Sequence, residues 1–353
     1  MQKYLFAIVI CASTLAVLAQ QPRVSNTDFT VEPIGGTLTA TVDRFRHSNA
    51  QRWLGYEVAA LPQSHFSACS SWSNASSMDN DCCGEYRLEG ETNYSVNPGN
   101  QAATEYKFYV LLRLNQGEII KVRSVMAGCH LDAGGVPFTW LTGVNANDSI
   151  AFLSGLATQF SESHRSRVDD ALLAIGYHAT PEATKVLSGI AASSAPMHLR
   201  EQAAFWLGVQ RGHEGFLALQ SLEKTTTESV FREKLTFDFS QNSDPAAEDE
   251  LLHMAKSDPD TKVREQALFW LAQKAGKKAS AALKDAIEND PETDVKKKAV
   301  FALSQLPKDE SVPQLIHVAD TNSNPAVRKE AFFWLGQSHD PRALAYLEQI
   351  LKR

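Results

Sequence analysis

The chain has 353 residues, which is too long for one ordinary hydrophobic core and long enough for two domains. Hydrophobic residues make up 43% of it and charged residues 21%, the balance of an ordinary folded protein. The net charge of −7 argues against a nucleic-acid partner, because neutralising phosphates requires a clustered basic face.

The first 19 residues have the pattern of a targeting segment. Lys3 precedes an apolar stretch from Tyr4 to Leu18, and the small residue Ala19 follows. This pattern predicts a secretory signal peptide over residues 1–19, cut after Ala19. A membrane anchor is the alternative, but the stretch is shorter than the roughly 20 residues that a bilayer span requires. We therefore expect a periplasmic or secreted protein with no membrane span after cleavage.

Export changes how the cysteines are interpreted, because exported proteins commonly form disulfides. Four remain once Cys11 leaves with the signal peptide: Cys69, Cys82, Cys83 and Cys129. We expect all four to be in disulfides, with three connectivities open. A bridge between the adjacent pair would strain the backbone, so pairing to the other two cysteines is favoured. The alternative is a zinc site formed by Cys82, Cys83, Cys129 and His130. Adjacent ligands such as Cys82 and Cys83 fit tetrahedral zinc poorly, so we expect no metal.

Residues 20–147 are expected to form a small β-rich, disulfide-containing domain. Tyr106 to Leu114 and Glu118 to Val125 are rich in β-forming residues and flank a short turn that contains Gly117, which predicts a hairpin. Further strands are predicted at 53–60 and 85–89, with a long loop over 64–100.

One segment of this domain resembles a site. Cys129, His130 and Asp132 could serve as nucleophile, base and orienting group. The alternative is a disulfide cysteine before a Gly-Gly turn, since close neighbours on an extended chain point in different directions. The sequence contains no motif of the known hydrolases, metalloproteases or nucleotide-binding proteins. We therefore expect no enzyme and no cofactor, and keep an enzyme with its site near Cys129–Asp132 as the alternative function.

The second half of the chain repeats itself every 32 residues. The segment LREQAAFWL at 199–207 returns as VREQALFWL at 263–271, with weaker copies between and beyond them. Three apolar columns run through every copy: Ala171, Ala203, Leu235, Ala267, Ala299 and Ala331; Ile175, Leu207, Phe239, Leu271, Leu303 and Leu335; Leu187, Leu219, Leu251, Leu283, Leu315 and Leu347. The first two columns are four residues apart and share a helix face, while the third follows a helix breaker. The spacing predicts six two-helix units stacked as an α-solenoid over residues 148–353.

Both ends of the array are expected to be capped. Residues 148–160 predict a lone helix, opened by an Asp/Ser cap, that covers the first unit. The last helix, 342–352, would keep its outer side polar through Glu348, Lys352 and Arg353. In the third unit Asp238 replaces the Trp or Ala of its neighbours, which predicts an irregular first helix there.

At these residues the chain resembles a known family. The motif Val-Arg-x-x-Ala-x-x-x-Leu, at 263–271 and 327–335, resembles HEAT-like repeats of the short bacterial type that are also seen in phycobilin lyases. The resemblance covers roughly residues 160–353 and implies a protein-binding scaffold. A phycobilin-lyase role is the poorer reading, since export would separate the chain from cytosolic substrates. Segments 129–135 and 140–143 resemble uncharacterised exported bacterial proteins joined to the same repeats.

The helical angle of each column separates core from candidate binding residues. At 100° per residue the apolar core face is centred near about 25°, which includes Trp206, Trp270 and Trp334. A basic column is expected to pair with loop acids: Arg200, Arg232, Arg264, Lys296 and Arg328. A phenylalanine column lies near about 240°, off the core: Phe205, Phe237, Phe269, Phe301 and Phe333.

The phenylalanine column is the candidate surface for another protein, and we expect an exported protein-binding scaffold. The alternative is that each ring packs against the adjacent unit. In that case the binding surface would lie on the second helices, around Lys284, Glu288, His317 and Glu348.

Overall fold

The computed structural model describes residues 21–62, 84–89, 95–96, 106–274 and 276–352. The predicted signal peptide and Cys69, Cys82 and Cys83 lie outside these ranges. The signal peptide and the disulfides therefore stay predictions.

The N-terminal region is rich in β-strands. Its strands are β1 Arg23–Ser25, β2 Phe29–Pro33, β3 Arg52–Ala59, β4 Gly84–Arg87, β5 Ser95–Val96, β6 Lys107–Asn115, β7 Glu118–Met126, β8 His130–Asp132 and β9 Phe138–Thr142. They form a larger sheet in the order β2-β9-β3-β6-β7 and a smaller one in the order β1-β8-β4-β5. The predicted hairpin is confirmed as the antiparallel pair β6 and β7. Gln116 and Gly117 at its turn both have positive φ, which is the requirement of a two-residue type I′ connection.

The larger sheet is buried on both faces because its residues alternate between two apolar clusters. Leu54 and Tyr56 of β3 pack towards the helices, whereas Trp53 packs towards the smaller sheet with Leu131 and Leu88. This two-sided burial explains why β6 consists of almost uninterrupted apolar residues and not of an alternating pattern.

A helix within this region was not predicted. Helix α1, Leu38–His47, begins after Thr37, whose hydroxyl accepts a hydrogen bond from the Ala40 N–H at 3.2 Å. It buries Leu38, Val42 and Phe45, which recur at helical spacing. The region is therefore mixed α and β, and the expectation of strands and loops alone is wrong at this helix.

The rest of the chain is helical. After α2 Ala146–Ala157 and a short 3₁₀ turn at Glu162–His164 come α3 Arg165–Tyr177, α4 Pro181–Ala192, α5 Met197–Gln210, α6 Gly212–Thr225, α7 Ser229–Gln241, α8 Ala246–Ser257, α9 Thr261–Lys274, α10 Gly276–Asn289, α11 Thr293–Ser304, α12 Lys308–Thr321, α13 Pro325–Gln337 and α14 Pro341–Leu351. Helix α2 begins two residues before the predicted start, because Asn145 provides its cap. Helix α7 is continuous, so the expected irregular helix at Asp238 is wrong.

Helices α3 to α14 form a solenoid of paired helices. The odd-numbered helices pack on one another in one layer, and the even-numbered ones form the second layer. The first two apolar columns are buried throughout, and the third is buried from Leu187 to Leu315. The columns thus form a continuous core in which each unit buries the apolar face of its neighbour.

The sheet and the first unit of the solenoid share that core. Helix α3 packs against β7, and α2 packs against both α1 and α3. The backbone of Ala60, just after β3, forms an antiparallel bridge with His178 in the α3–α4 turn. Tyr56, Ser149 and His178 form a buried hydrogen-bonded chain, with 2.9 Å from hydroxyl to hydroxyl and 2.9 Å from Ser149 Oγ to His178 Nε2. The N-terminal end of the solenoid is therefore covered.

The other end of the solenoid differs from the expected polar cap. Glu348 on α14 and Lys352 just after it are exposed, as predicted, but so are Leu344 and Leu351. Leu344 is 61% exposed and Leu351 is 87% exposed. The last helix thus presents an apolar strip as well as a polar one.

Candidate protein-binding surface

The phenylalanine column forms a continuous series of aromatic contacts on the odd-numbered helices. Phe205 and Phe237 stack with ring centroids 6.1 Å apart, and Phe269 and Phe301 stack at 6.0 Å. Their interplanar angles are 8° and 3°, so each pair is nearly parallel. Equivalent positions on adjacent helices bring these rings together, since packed helices lie about 8–10 Å apart.

The tryptophans join the stacked pairs. Trp270 lies 4.8 Å from both Phe237 and Phe269, measured between ring centroids. Trp334 lies 5.0 Å from both Phe301 and Phe333. We call this set the aromatic ladder: Phe205, Trp206, Phe237, Phe269, Trp270, Phe301, Phe333 and Trp334.

Burial in the ladder lies between the two predicted alternatives. Phe205, Phe237, Phe269 and Phe301 are half-buried, and Phe333 at the far end is 54% exposed. The tryptophans are also half-buried and pack against the core cluster, so they belong to the edge of the core as well as to this surface. Adjacent Phe–Trp dipeptides at 205–206, 269–270 and 333–334 were the signal that could have placed both columns on one surface.

A cation lies on this surface. The Lys298 ammonium lies 5.4 Å from the Phe269 ring centroid and 5.0 Å from that of Phe301. An ammonium over a ring face is attracted by the ring quadrupole. Sequence analysis missed this lysine. Lys234 occupies the equivalent position two units earlier, beside the Phe205–Phe237 pair in the repeat register.

Asp238 occupies the tryptophan position in the third unit and is only 3% exposed. Burial raises the pKa of this carboxyl well above its usual range, and the nearby carboxylate of Glu201 adds to the shift. Among the described residues, Asp238 Oδ2 and Trp206 Nε1 are buried without a hydrogen-bond partner. The substitution therefore leaves a strained polar position at the edge of the ladder but no break in its ring contacts.

Three arginines of the basic column pair with loop acids, as predicted, whereas Lys296 and Arg328 donate hydrogen bonds to backbone carbonyls. Arg232 makes two hydrogen bonds to Asp258, at 2.8 and 3.2 Å, and Arg264 makes two to Asp290, at 2.9 and 3.2 Å. Arg200 pairs with Glu228 at 2.8 Å. These arginines tie the first helix of each unit to the loop that leads into the next unit, so they are engaged within the solenoid.

The second helices contain apolar clefts. One cleft of about 480 Å³ between α10 and α12 is lined by Lys284, Glu288 and His317, three of the residues named for the alternative surface. A second, of about 780 Å³, lies between α8 and α10. Its charged rim is internally paired, with Lys256 3.6 Å from Asp285 and Lys278 3.5 Å from Asp249.

The segment around Cys129 does not place a nucleophile beside a base. Cys129 is 1% exposed within the cluster between the two sheets, whereas the next residue, His130, is exposed. Asp132 Oδ1 accepts hydrogen bonds from Asn26 Nδ2 and from the Gly134 N–H, each at 2.9 Å. These bonds hold the pKa of Asp132 below its usual range and fix it to the Gly-Gly turn.

Metal and membrane features were sought in the same ranges. No group of three or more His, Cys, Asp or Glu side chains is placed to hold a metal ion among the residues that the structure describes. Within those residues, too, every helix is too short or too polar to cross a bilayer.

Comparisons with known proteins concern the repeats. The family described as HEAT repeats matches residues 280–353, from within α10 to the end of the chain. No curated protein matches the chain. Among solved structures, human deoxyhypusine hydroxylase in complex with glycerol matches over 57% of this chain and 90% of that one, at 18% identity and a TM-score of 0.30.

The match to a hydroxylase corrects one expectation. The exclusion of an enzyme relied on missing motifs and on the repeat fold, and that exclusion is wrong because a matched structure is itself an enzyme. At this identity and TM-score the match assigns no activity to the chain. The family match at residues 280–353 and the paired helices that precede it together support a HEAT-like repeat architecture for the C-terminal region.

Proposed function

We propose that this chain is an exported scaffold that binds another protein along the aromatic ladder of its solenoid. In this proposal the solenoid consists of six 32-residue units, and the N-terminal region is held by disulfides among Cys69, Cys82, Cys83 and Cys129. HEAT repeats commonly serve as surfaces for protein interaction, which supports the general role.

The observation that carries the proposal is the unbroken ring contact across five successive first helices. Half-buried aromatic rings are already ordered, so a partner that covers them gains apolar contact with little loss of side-chain freedom. Aromatic residues supply a large share of the binding energy at protein interfaces. Lys298 adds one positive charge to the same surface.

The ladder is favoured over the clefts of the second helices for two reasons. The acids and lysines at the rim of the larger cleft already pair with each other across it, as Lys256 does with Asp285. The ladder extends over five helices, whereas each cleft involves only two or three. A long surface of this kind suits a protein partner better than a small ligand.

Site-specific cross-linking in the native host tests the proposal. A photoreactive amino acid placed at Gln266 or Lys298 should cross-link to a partner. One placed at Leu217 on α6 serves as the control, because that residue lies in the other helix layer and is more exposed than the half-buried Gln266 and Lys298. Phe269→Ala and Phe301→Ala should lower the yield at Gln266 at least fivefold. Equal yields from the ladder and from Leu217, or yields unaffected by both variants, would contradict a ladder site.

The same variants need a stability measurement. A core Phe→Ala change costs about 3–5 kcal/mol, and these rings are only half-buried, so we expect roughly half of that from thermal unfolding. The variants then remain folded at the temperature of the cross-linking, and loss of yield reports binding.

Export and oxidation are tested on the purified protein. Mass measurement should find an N-terminus near Gln20, and an intact Met1 in the cytosol would contradict export. Alkylation under denaturing, non-reducing conditions should label few or none of the four cysteines. Four free thiols would contradict the disulfides.

A further inference from the structure

The outer face of the α13–α14 unit carries apolar side chains that no other described element covers. Leu344 and Leu351 lie seven residues apart on α14 and are 61% and 87% exposed. A seven-residue spacing places both on one side of the helix. They are among the most exposed large apolar side chains in the described ranges.

Equivalent positions in earlier units show what normally covers this face. Stepping back by 32 residues from Leu351 gives Ala319, Ile287 and Ala255, which are 4%, 1% and 4% exposed. One step back from Leu344 gives Val312, which is 0% exposed. These residues are buried because another helical pair packs over them. The face of α14 is therefore a stacking face for a similar unit.

The aromatic ladder ends at the same place. Phe269 is half-buried because the next ring, Phe301, stacks on it at 6.0 Å. Phe333 has ring contact with Trp334 but is 54% exposed, and no described helix places a further ring against it. Two independent features, one in each helix layer, thus leave the same end of the solenoid uncovered.

The opposite end cannot supply the missing surface. The first unit is covered by β7 and α2 and is joined to the sheet by the backbone bridge between Ala60 and His178. A second copy therefore cannot stack its first unit on the last unit of another, which excludes a head-to-tail filament. The remaining arrangement for two copies is an isologous pair, in which the same face meets itself.

We propose that two copies of this chain associate through the outer faces of their α13–α14 units, related by a two-fold axis. The buried centre would contain Leu344, Leu351 and Phe333 of both copies. Glu348 and Lys352 place both signs of charge beside the apolar strip, so two identical faces meet without a net excess of like charge. The inference depends on this open end and not on the partner proposed for the ladder.

Sedimentation equilibrium over a concentration series of the full mature chain tests the inference. The wild-type protein should approach twice the chain mass with rising concentration. Leu344→Glu combined with Leu351→Glu should raise the dissociation constant at least tenfold. The matched control is Leu217→Glu on α6, which changes another exposed leucine, at 50%, away from this end and should leave the dissociation constant unchanged.

Each other outcome would overturn the proposal. If the wild-type chain stays monomeric at about 100 µM, near the highest usable concentration, the dimer proposal is contradicted. A dimer that persists in the double variant, or that is lost in Leu217→Glu, places the contact elsewhere. Growth beyond two copies contradicts the two-fold arrangement. Because the double variant and the control both change exposed residues, circular dichroism should show the helix content of the wild type in each.

Discussion

The two ends of the solenoid are built from the same repeat, yet one end is covered by other elements and the other is exposed. At the N-terminal end, α3 packs on β7, and the Tyr56–Ser149–His178 chain is entirely buried. At the C-terminal end, equivalent apolar positions on α14 face outward. The burial of an apolar position in a repeat therefore depends on the neighbouring unit that stacks on it, and not on the repeat itself.

The difference also separates two kinds of stabilisation. The covered end combines apolar contact with polar groups that need one specific partner each, such as Arg211, which donates hydrogen bonds to Thr184 and to the carbonyls of His178 and Thr180. The open end presents an apolar strip with solvated charges beside it, and no described polar group there is buried against a specific partner in another element. The first kind fixes one geometry, and the second accepts any complementary apolar surface.

The largest expected effect comes from removing a core side chain at the covered end. Leu172 on α3 is 0% exposed in the core that the sheet and the helices share. Leu172→Ala should lower the free energy of unfolding by about 2–5 kcal/mol, measured by urea denaturation. A loss below 1 kcal/mol, on the order of a surface change, would show that the end is not packed as described.

Acid should weaken the covered end through His178. Burial lowers the pKa of His178 from 6.5 to about 4. Above pH 6.5, close to the unfolded pKa, the imidazole is neutral in both states and its contribution is complete. As the pH falls towards 4, the unfolded state binds the proton first and stability falls, by up to about 3 kcal/mol in all.

A variant isolates this effect from an opposing one. Burial raises the pKa of Asp170, beside Arg123, to about 7. Protonation of that carboxyl therefore stabilises the folded state as the pH falls, which partly masks the destabilisation through His178 in the wild type. The free energies of unfolding of wild type and His178→Gln are measured by denaturation from pH 7 to pH 4. Their difference at each pH cancels the contribution of Asp170, which both proteins share. Parallel pH profiles for the two proteins would refute a titrating role for His178.

The hydrogen-bonded chain should respond according to the number of partners lost. Ser149→Ala leaves both Tyr56 and His178 Nε2 without this partner and should cost about 1–3 kcal/mol. Tyr56→Phe removes one hydroxyl and leaves the Ser149–His178 bond, so we expect about 1 kcal/mol. Urea denaturation of both variants at pH 7.5 gives the order, and a reversal would mean that Ser149 does not link the other two.

The smallest effect is expected at the open end. Leu344→Ala should change the stability of the dilute monomer by less than about 0.5 kcal/mol, because the side chain is already in contact with water. Denaturation at low protein concentration, beside Leu172→Ala, makes the comparison direct. A loss as large as that of Leu172→Ala would mean that the face is covered within a single chain.

Much of the fold followed from local patterns. The hairpin of β6 and β7 was predicted from β-forming residues around a glycine turn, and the helical columns from their 32-residue period. Helix α1 was missed because its three apolar positions lie in a region otherwise dominated by strand signals. The regular helix α7 was missed because one buried acid, Asp238, was taken as a break. Neighbouring packing holds that acid in the helix despite its raised pKa.

The candidate surface shows the same division. The sequence placed the phenylalanine column off the core by helical angle alone, but it assigned the tryptophans to the core. In the structure both columns form one ladder, and Lys298 lies over it. The angular position of a residue on one helix predicts the direction of its side chain. Which groups that side chain contacts depends on the adjacent helix.

The repeat period, the paired helices and the apolar columns could be derived from the amino-acid pattern alone, because these arise from interactions between residues close along the chain. Which positions of those columns are covered depends on how the units stack in space. Leu351 and Ala319 occupy the same place in the repeat, yet one is 87% exposed and the other 4%, because α14 follows Ala319 in space and no described helix follows Leu351. Burial is a property of contacts between distant residues, and a repeating pattern alone does not specify it.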